Sequence, residues 1–152
     1  MRNAPPALFG RRFLSQTAEH ALRAALFLGR AGHGRLVSAG QVAAALGMPP
    51  NYTAKTLRQL TRRGLLRSVR GPHGGFALLV KASEISLARL IDAVEEYPER
   101  PAVCLLGHRT CNGDEPCSAH RRWLDVQART NSMMEQTTLA DLLGDDVAPG
   151  SS

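Results

Sequence analysis

Seventeen residues, Cys104 to His120 (CLLGHRTCNGDEPCSAH), hold all three cysteines of the chain. Six residues separate Cys104 from Cys111, five separate Cys111 from Cys117, and His120 follows after two more. Thiolates are soft donors that select zinc or iron–sulfur clusters over hard cations, and neutral imidazole binds the same metals. Gly107, Gly113 and Pro116 break helix and let the donors converge on one point. Cys104, Cys111, Cys117 and His120 are therefore the expected ligands of a metal or iron–sulfur centre. A structural zinc site of Cys₃His type would use the same four donors, although the usual paired CxxC is absent. A thiol-redox switch in place of a cluster is the other alternative for these cysteines. Enzymatic thiol chemistry is not expected, because there is no CxxC and no nucleophile–base arrangement.

The rest of the chain must carry this loop and respond to it. At 152 residues it is long enough for one domain with an appendage and a core that needs no staples. Three cysteines cannot all pair, which argues against a disulfide scaffold and for a reducing cytoplasm. No apolar run approaches the ~18–20 residues of a membrane span, and no signal-peptide pattern opens the chain. The net charge of +6 is unevenly placed. Residues 1 to 75 carry twelve Lys or Arg and one acid, a net +11, against −5 for the remainder. A basic half of this size is a footprint for a polyanion, and double-stranded DNA is the expected partner rather than a membrane or a small-molecule substrate. An interaction module without a DNA role is the reading this charge opposes.

The basic residues fall on a recognisable arrangement. After a basic arm over 1–12, a helix is expected from Ser15 or Thr17 to about Arg30, with Ala21, Leu22, Ala25, Leu26 and Leu28 inward. Ser38 and Gln41 have capping-box spacing for a second helix that buries Val42, Ala45 and Leu46 and ends at Gly47. Pro49 and Pro50 suit the first turn of a third, which stops at Gly64. Its Leu57 and Leu60 face inward, leaving Asn51, Tyr52, Thr53, Lys55, Thr56, Arg58 and Arg62 for the outer face. Two short helices joined by a tight turn, the second basic, make a helix-turn-helix whose second helix fits a major groove. Leu65–Val69 and Phe76–Val80 then read as a hairpin, with Arg67, Arg70 and His73 on or beside its tip. Gly71, Gly74 and Gly75 would let backbone approach a phosphate. Such a wing can place an arginine in the minor groove.

A fourth helix should run from the cap Ser86 through LARLIDAVEEY. A long one should run from about Ala119 to Gln136, with Trp123, Val126, Thr130 and Met133 along one stripe, suited either to a twin in a dimer or to its own domain. Thr138 caps a last short helix. The fold class is thus mainly α with a small β-hairpin: a winged helix-turn-helix (13–100), a cysteine loop (101–120), a dimerisation helix with a C-terminal helix (119–143), and a tail from 144 to 152.

LSQTAEHALRA, NYTAKTLRQLTRRGLL, SVRGPHGGF, ASEISL, the three-cysteine loop and TTLADLL, spanning Leu14 to Leu143, resemble the IscR/NsrR-type family of bacterial winged-helix regulators (the Rrf two family). The resemblance implies a homodimer crossed by the long helices, with recognition helices and wings on a palindromic promoter site. It also implies an iron–sulfur cluster, 2Fe–2S or 4Fe–4S, on the three cysteines, and regulation of DNA affinity, expected as repression. The first cysteine gap of six residues is one longer than the usual five. For the fourth ligand it offers His120, or Glu19 supplied by the first helix of the partner subunit. His120 is preferred because it is local. His108 is read as a solvated loop residue, and His20 carries no functional reading.

Overall fold

The computed structural model describes residues 14–95, 104–108 and 110–144. The expected arm over 1–12 and the tail after Gly144 lie outside those residues. Helix α1 spans Gln16–Ala31, and its cap Ser15 accepts a hydrogen bond from the Ala18 N–H at 3.0 Å. Its buried face is mostly alanine (Ala18, Ala21, Ala24, Ala25), and the small side chains let other helices approach closely. Leu22 and Leu26, expected inward, are half-buried beside this face. The third, fourth and last helices pack against α1.

Helix α2 is Ala39–Leu46, and its capping box closes: Ser38 Oγ accepts from the Gln41 N–H and Gln41 Oε1 from the Ser38 N–H. Gly47 ends it in the left-handed region at φ 61°. The buried residues are Val42 and Ala43, with Met48 beyond the cap; Ala45 is exposed, against expectation. An eight-residue helix wedged under α1 and the third helix turns only a narrow face to the core. Helix α3, Pro50–Arg62, has proline in its first turn, where a missing amide hydrogen goes unused. Gly64 follows at φ 74°.

Strands β1 (Leu66–Val69) and β2 (Gly75–Leu78) pair antiparallel, from Leu66 opposite Leu78 to Val69 opposite Gly75. Val37 adds a third edge, exchanging hydrogen bonds with Phe76 at 2.9 and 2.8 Å. Helix α4 covers Leu87–Val94 under the cap Ser86 and is shorter than expected. The remainder of the expected helix, from residue 96 on, lies outside the described residues.

Helix α5, His120–Gln136, has 17 residues and a length of about 25 Å at 1.5 Å per residue. None of its side chains is buried. Its far end is pinned: the Leu87 N–H donates to Thr137 O, and the Leu139 N–H to Ile85 O at 2.8 Å. Helix α6, Leu139–Gly144, then folds back on α1, with Leu139 fully buried and Leu143 against Gly29. The core combines Leu28, Leu57, Leu60, Leu66, Ile85 and Leu90, and each fully buried leucine contributes about 1.5–3 kcal/mol. The result is a winged helix-turn-helix with a long helix packed against its α4. No helix among the described residues is long and apolar enough to cross a membrane.

Candidate metal centre and nucleic-acid interface

The cysteine loop is built from two local turns. The Gly107 N–H donates to Cys104 O at 3.0 Å, with Gly107 at φ 75°. Asn112 Oδ1 accepts from the N–H groups of Asp114 and Glu115 at 2.9 and 2.8 Å. The His120 N–H then donates to Cys117 O as α5 starts. These turns draw the three sulfurs within 4.8 Å of one another. Cys104 Sγ and Cys117 Sγ are 3.7 Å apart, and Cys111 Sγ is 3.1 Å from His120 Nδ1. His120 thus joins the group through Cys111, while Glu19 lies on the first turn of α1, outside the sulfur group. His108 is exposed, as expected.

Burial pushes the Cys104 thiol up, but the backbone N–H groups of His108 and Leu106, with Cys117 and Cys111, outweigh it and hold the thiol below its ordinary value. At Cys111 the Cys117 N–H pulls the thiol down, yet desolvation and the sulfurs of Cys117 and Cys104 leave it raised. Cys104 therefore ionises before Cys111. Three half-buried thiols with an adjacent imidazole fit a soft metal. With metal–sulfur bonds of about 2.3 Å, ligands around one tetrahedral ion stand about 3.8 Å apart. The 3.7 Å pair matches that edge.

On α3, Asn51, Lys55, Arg58 and Arg62 fall on the outer face assigned to them, and all four are exposed. Thr53 and Thr56 are not: both are buried, at 0% and 2% exposure. Their hydroxyls donate to the backbone carbonyls of Pro49 and Tyr52, one helical turn back. That bond satisfies the hydroxyl and leaves the methyl to pack, so a threonine serves as a core residue here. The two threonines continue the stripe of Leu57 and Leu60 at i, i+3, i+4 and i+7, a periodicity that was available in the sequence. Tyr52 is half-buried and turned towards α1, where its hydroxyl shares a hydrogen bond with Thr17 Oγ1. His20 meets the Tyr52 ring edge-on, at 5.1 Å between centroids and 76° between planes.

In the wing, Arg70, Gly71 and His73 are exposed. Gly74 and Gly75 are half-buried and have structural reasons to be glycine. A Cβ at Gly74 would stand 2.0 Å from Val69 O, and one at Gly75 would stand 2.6 Å from Val37 C and O. Arg67 donates to Gly34 O at 2.7 Å, which ties it to the α1–α2 turn. Along α5, Leu124, Val126 and Met133 are exposed, as are Leu105 and Leu106 on the loop.

The Rrf2 family, described as iron-dependent transcriptional regulators, matches residues 14–145. A protein of Aquifex aeolicus (strain VF5) classed among HTH-type transcriptional regulators is 30% identical over 85% of this chain and 90% of its own length. The HTH-type transcriptional regulator IscR of Vibrio atlanticus is 34% identical over 66% of this chain; the match spans 57% of that protein. Among solved structures, CymR, the global cysteine regulator of B. subtilis, superposes with a TM-score of 0.73 at 21% identity, covering 88% of this chain and 98% of that one. T. potens IscR does so with a TM-score of 0.71 at 22% identity, covering 93% and 96%. These proteins are regulators and not enzymes, in line with the expectation that the chain is not a thiol enzyme. The chain belongs to the Rrf2 family of helix-turn-helix transcriptional regulators.

Proposed function

We propose that this regulator is a cytoplasmic repressor that binds a palindromic site on double-stranded DNA as a homodimer. Its cysteine loop holds an iron–sulfur cluster whose presence sets DNA affinity. The observation that carries this reading is the convergence of Cys104, Cys111 and Cys117 within 4.8 Å, with His120 beside Cys111, at the start of α5. The cluster, when bound, supplies a redox-active and chemically labile cross-link between these ligands. The chain's own residues do the rest. Asn51, Lys55, Arg58 and Arg62 face the major groove, and Arg70, Gly71 and His73 face the flanking backbone and minor groove. Val126 and Met133, on one stripe of α5, bury against a second copy.

Helix α5 links the two functions. It begins at His120, beside Cys111, and ends next to Thr137, pinned to the entry of α4. A change in the loop therefore acts on one end of a rigid rod whose other end belongs to the DNA-binding domain. Half-sites one helical turn apart, about 34–36 Å, tolerate little change in the separation of the two recognition helices. The loop thus shifts the population of DNA-competent dimers.

A second reading has its own support. The 3.7 Å sulfur pair matches the edge of a single tetrahedral ion, which zinc supplies as well as one iron of a 2Fe–2S cluster, whereas a 4Fe–4S cluster gives each thiolate its own iron. That reading makes the loop a structural zinc site in the same DNA-binding dimer. The test is a visible spectrum with iron, sulfide and zinc analysis on protein purified without oxygen. Charge-transfer bands with matching iron and sulfide support the cluster; a colourless protein with one zinc per chain replaces it with the second reading.

A further inference from the structure

Helix α1 presents three residues in succession to the helix-turn-helix: Thr17, His20 and Arg23. Thr17 Oγ1 shares a hydrogen bond with the hydroxyl of Tyr52, in the first turn of α3. His20, only 8% exposed, sets its ring edge-on to the same tyrosine. Arg23 Nη2 donates to Leu46 O, the last residue of α2, at 2.8 Å. The spacing i, i+3, i+6 places all three on one side of α1.

His20 is a costly choice for a residue that only fills space. Its Nδ1 is buried and has no hydrogen-bond partner among the described residues, and an unpaired buried nitrogen is a penalty that a leucine would avoid. A flat ring at this position does what an aliphatic chain does not: it holds the tyrosine ring in one plane by an edge-to-face contact. The ring contact and the hydroxyl bond both tie the first turn of α3 to α1, and Asn51 and Lys55 are the exposed neighbours of Tyr52 on that helix.

We propose that Thr17 and His20 are positioning residues for DNA recognition, acting through Tyr52 to set the pose of the recognition helix. Tyr52 serves sequence reading from behind α3 and does not touch DNA. This rests on the DNA-binding reading above and adds to it which residues control specificity without contacting a base. A brace of this kind affects specific binding, which needs the side chains in register with base edges. It leaves non-specific binding alone, because phosphate attraction tolerates small rotations.

The experiment is a double-mutant cycle on the full chain, with Thr17→Val, Tyr52→Phe and the pair combined. The probe is a duplex enriched by the wild-type protein from a randomised pool, compared with a random duplex at the same salt. Each single variant is expected to lose between about three- and tenfold on the enriched duplex, the range of one hydrogen bond, and to stay within about twofold of wild type on the random one. The double variant should lose no more than the worse single. His20→Leu should give the same selective loss, and thermal unfolding of all variants separates this from general destabilisation. Losses that multiply in the double variant would overturn the inference, as would a loss for Tyr52→Phe with none for Thr17→Val, which makes Tyr52 a direct contact. Equal losses on both duplexes, or selective losses that follow thermal stability, would overturn it too. A wild-type protein that enriches no duplex defeats the DNA-binding reading itself, and this inference with it.

Discussion

Nδ1 of His120 lies 3.1 Å from Sγ of Cys111, while the sulfurs of Cys104 and Cys117 pair with each other at 3.7 Å. The loop thus offers an imidazole to its thiols from the first residue of α5. Replacing His120 with Ala should weaken metal retention by at least about tenfold, a loss typical of groups that support a metal site. Glu19→Gln should leave retention unchanged. Competition with a chelator, followed by the visible spectrum or by zinc release, reads both. The reverse pattern would assign the fourth ligand to Glu19 of the partner subunit.

The wing depends on close backbone packing at Gly75. Its φ of 151° and the 2.6 Å separation that a Cβ would have from Val37 backbone atoms leave no room for a side chain. Gly75→Ala should destabilise the fold by about 2–4 kcal/mol, the range of strained or clashing positions. Gly71, at φ 111°, has nothing among the described residues within 4 Å of a Cβ, so Gly71→Ala should cost only about 1–2 kcal/mol of backbone strain. Urea unfolding of the two variants checks the order.

Phosphate contacts and internal threonines should separate in a salt titration. If Lys55 and Arg58 each neutralise one phosphate, replacing either with Ala reduces the slope of log K against log salt by about 0.9. Thr56→Ser, which keeps the hydroxyl that donates to Tyr52 O at 3.0 Å, should leave the slope unchanged. Fluorescence anisotropy at several salt concentrations measures this. An unchanged slope for both alanine variants would remove Lys55 and Arg58 from the phosphate contacts.

Acid should loosen the junction of α5 and α6. Thr138, through its backbone N–H and then its hydroxyl, holds the Asp141 carboxyl below its ordinary value of 3.8. A carboxyl lowered by folding stabilises the protein above its unfolded pKa, and that contribution fades as pH falls through the folded value. Wild type should therefore melt above Asp141→Asn at neutral pH, with the gap closing below about pH 4. Melting curves from pH 7 to pH 3 follow it; a gap that widens in acid would contradict this sign.

Much of this structure was legible because it is local. Ser15, Ser38, Ser86 and Thr138 each cap a helix through a side chain acting within three residues, and Gly47 and Gly64 end helices at positive φ. The convergence of the cysteines also follows from short turns at Gly107 and Asn112. Residue polarity misled where a hydroxyl could be satisfied by its own helix, as at Thr53 and Thr56. Packing on Val69 and Val37 gives Gly74 and Gly75 a further reason to be glycine, one that the hairpin pattern does not report. The link from Thr17 and His20 to Tyr52 spans more than thirty residues of sequence, and no periodicity within one helix reports it.

Control of DNA binding by the cysteine loop, acting through α5, is tested most directly by one affinity measured twice. A single preparation is titrated with one enriched duplex before and after a chelator removes its metal without oxygen, at constant salt. A change of at least about tenfold is expected, a coupling of roughly 1.4 kcal/mol or more, with the protein still dimeric and folded. Equal affinity in the loaded and stripped states, both folded, would contradict this control and leave the loop a structural element of a constitutive DNA-binding protein.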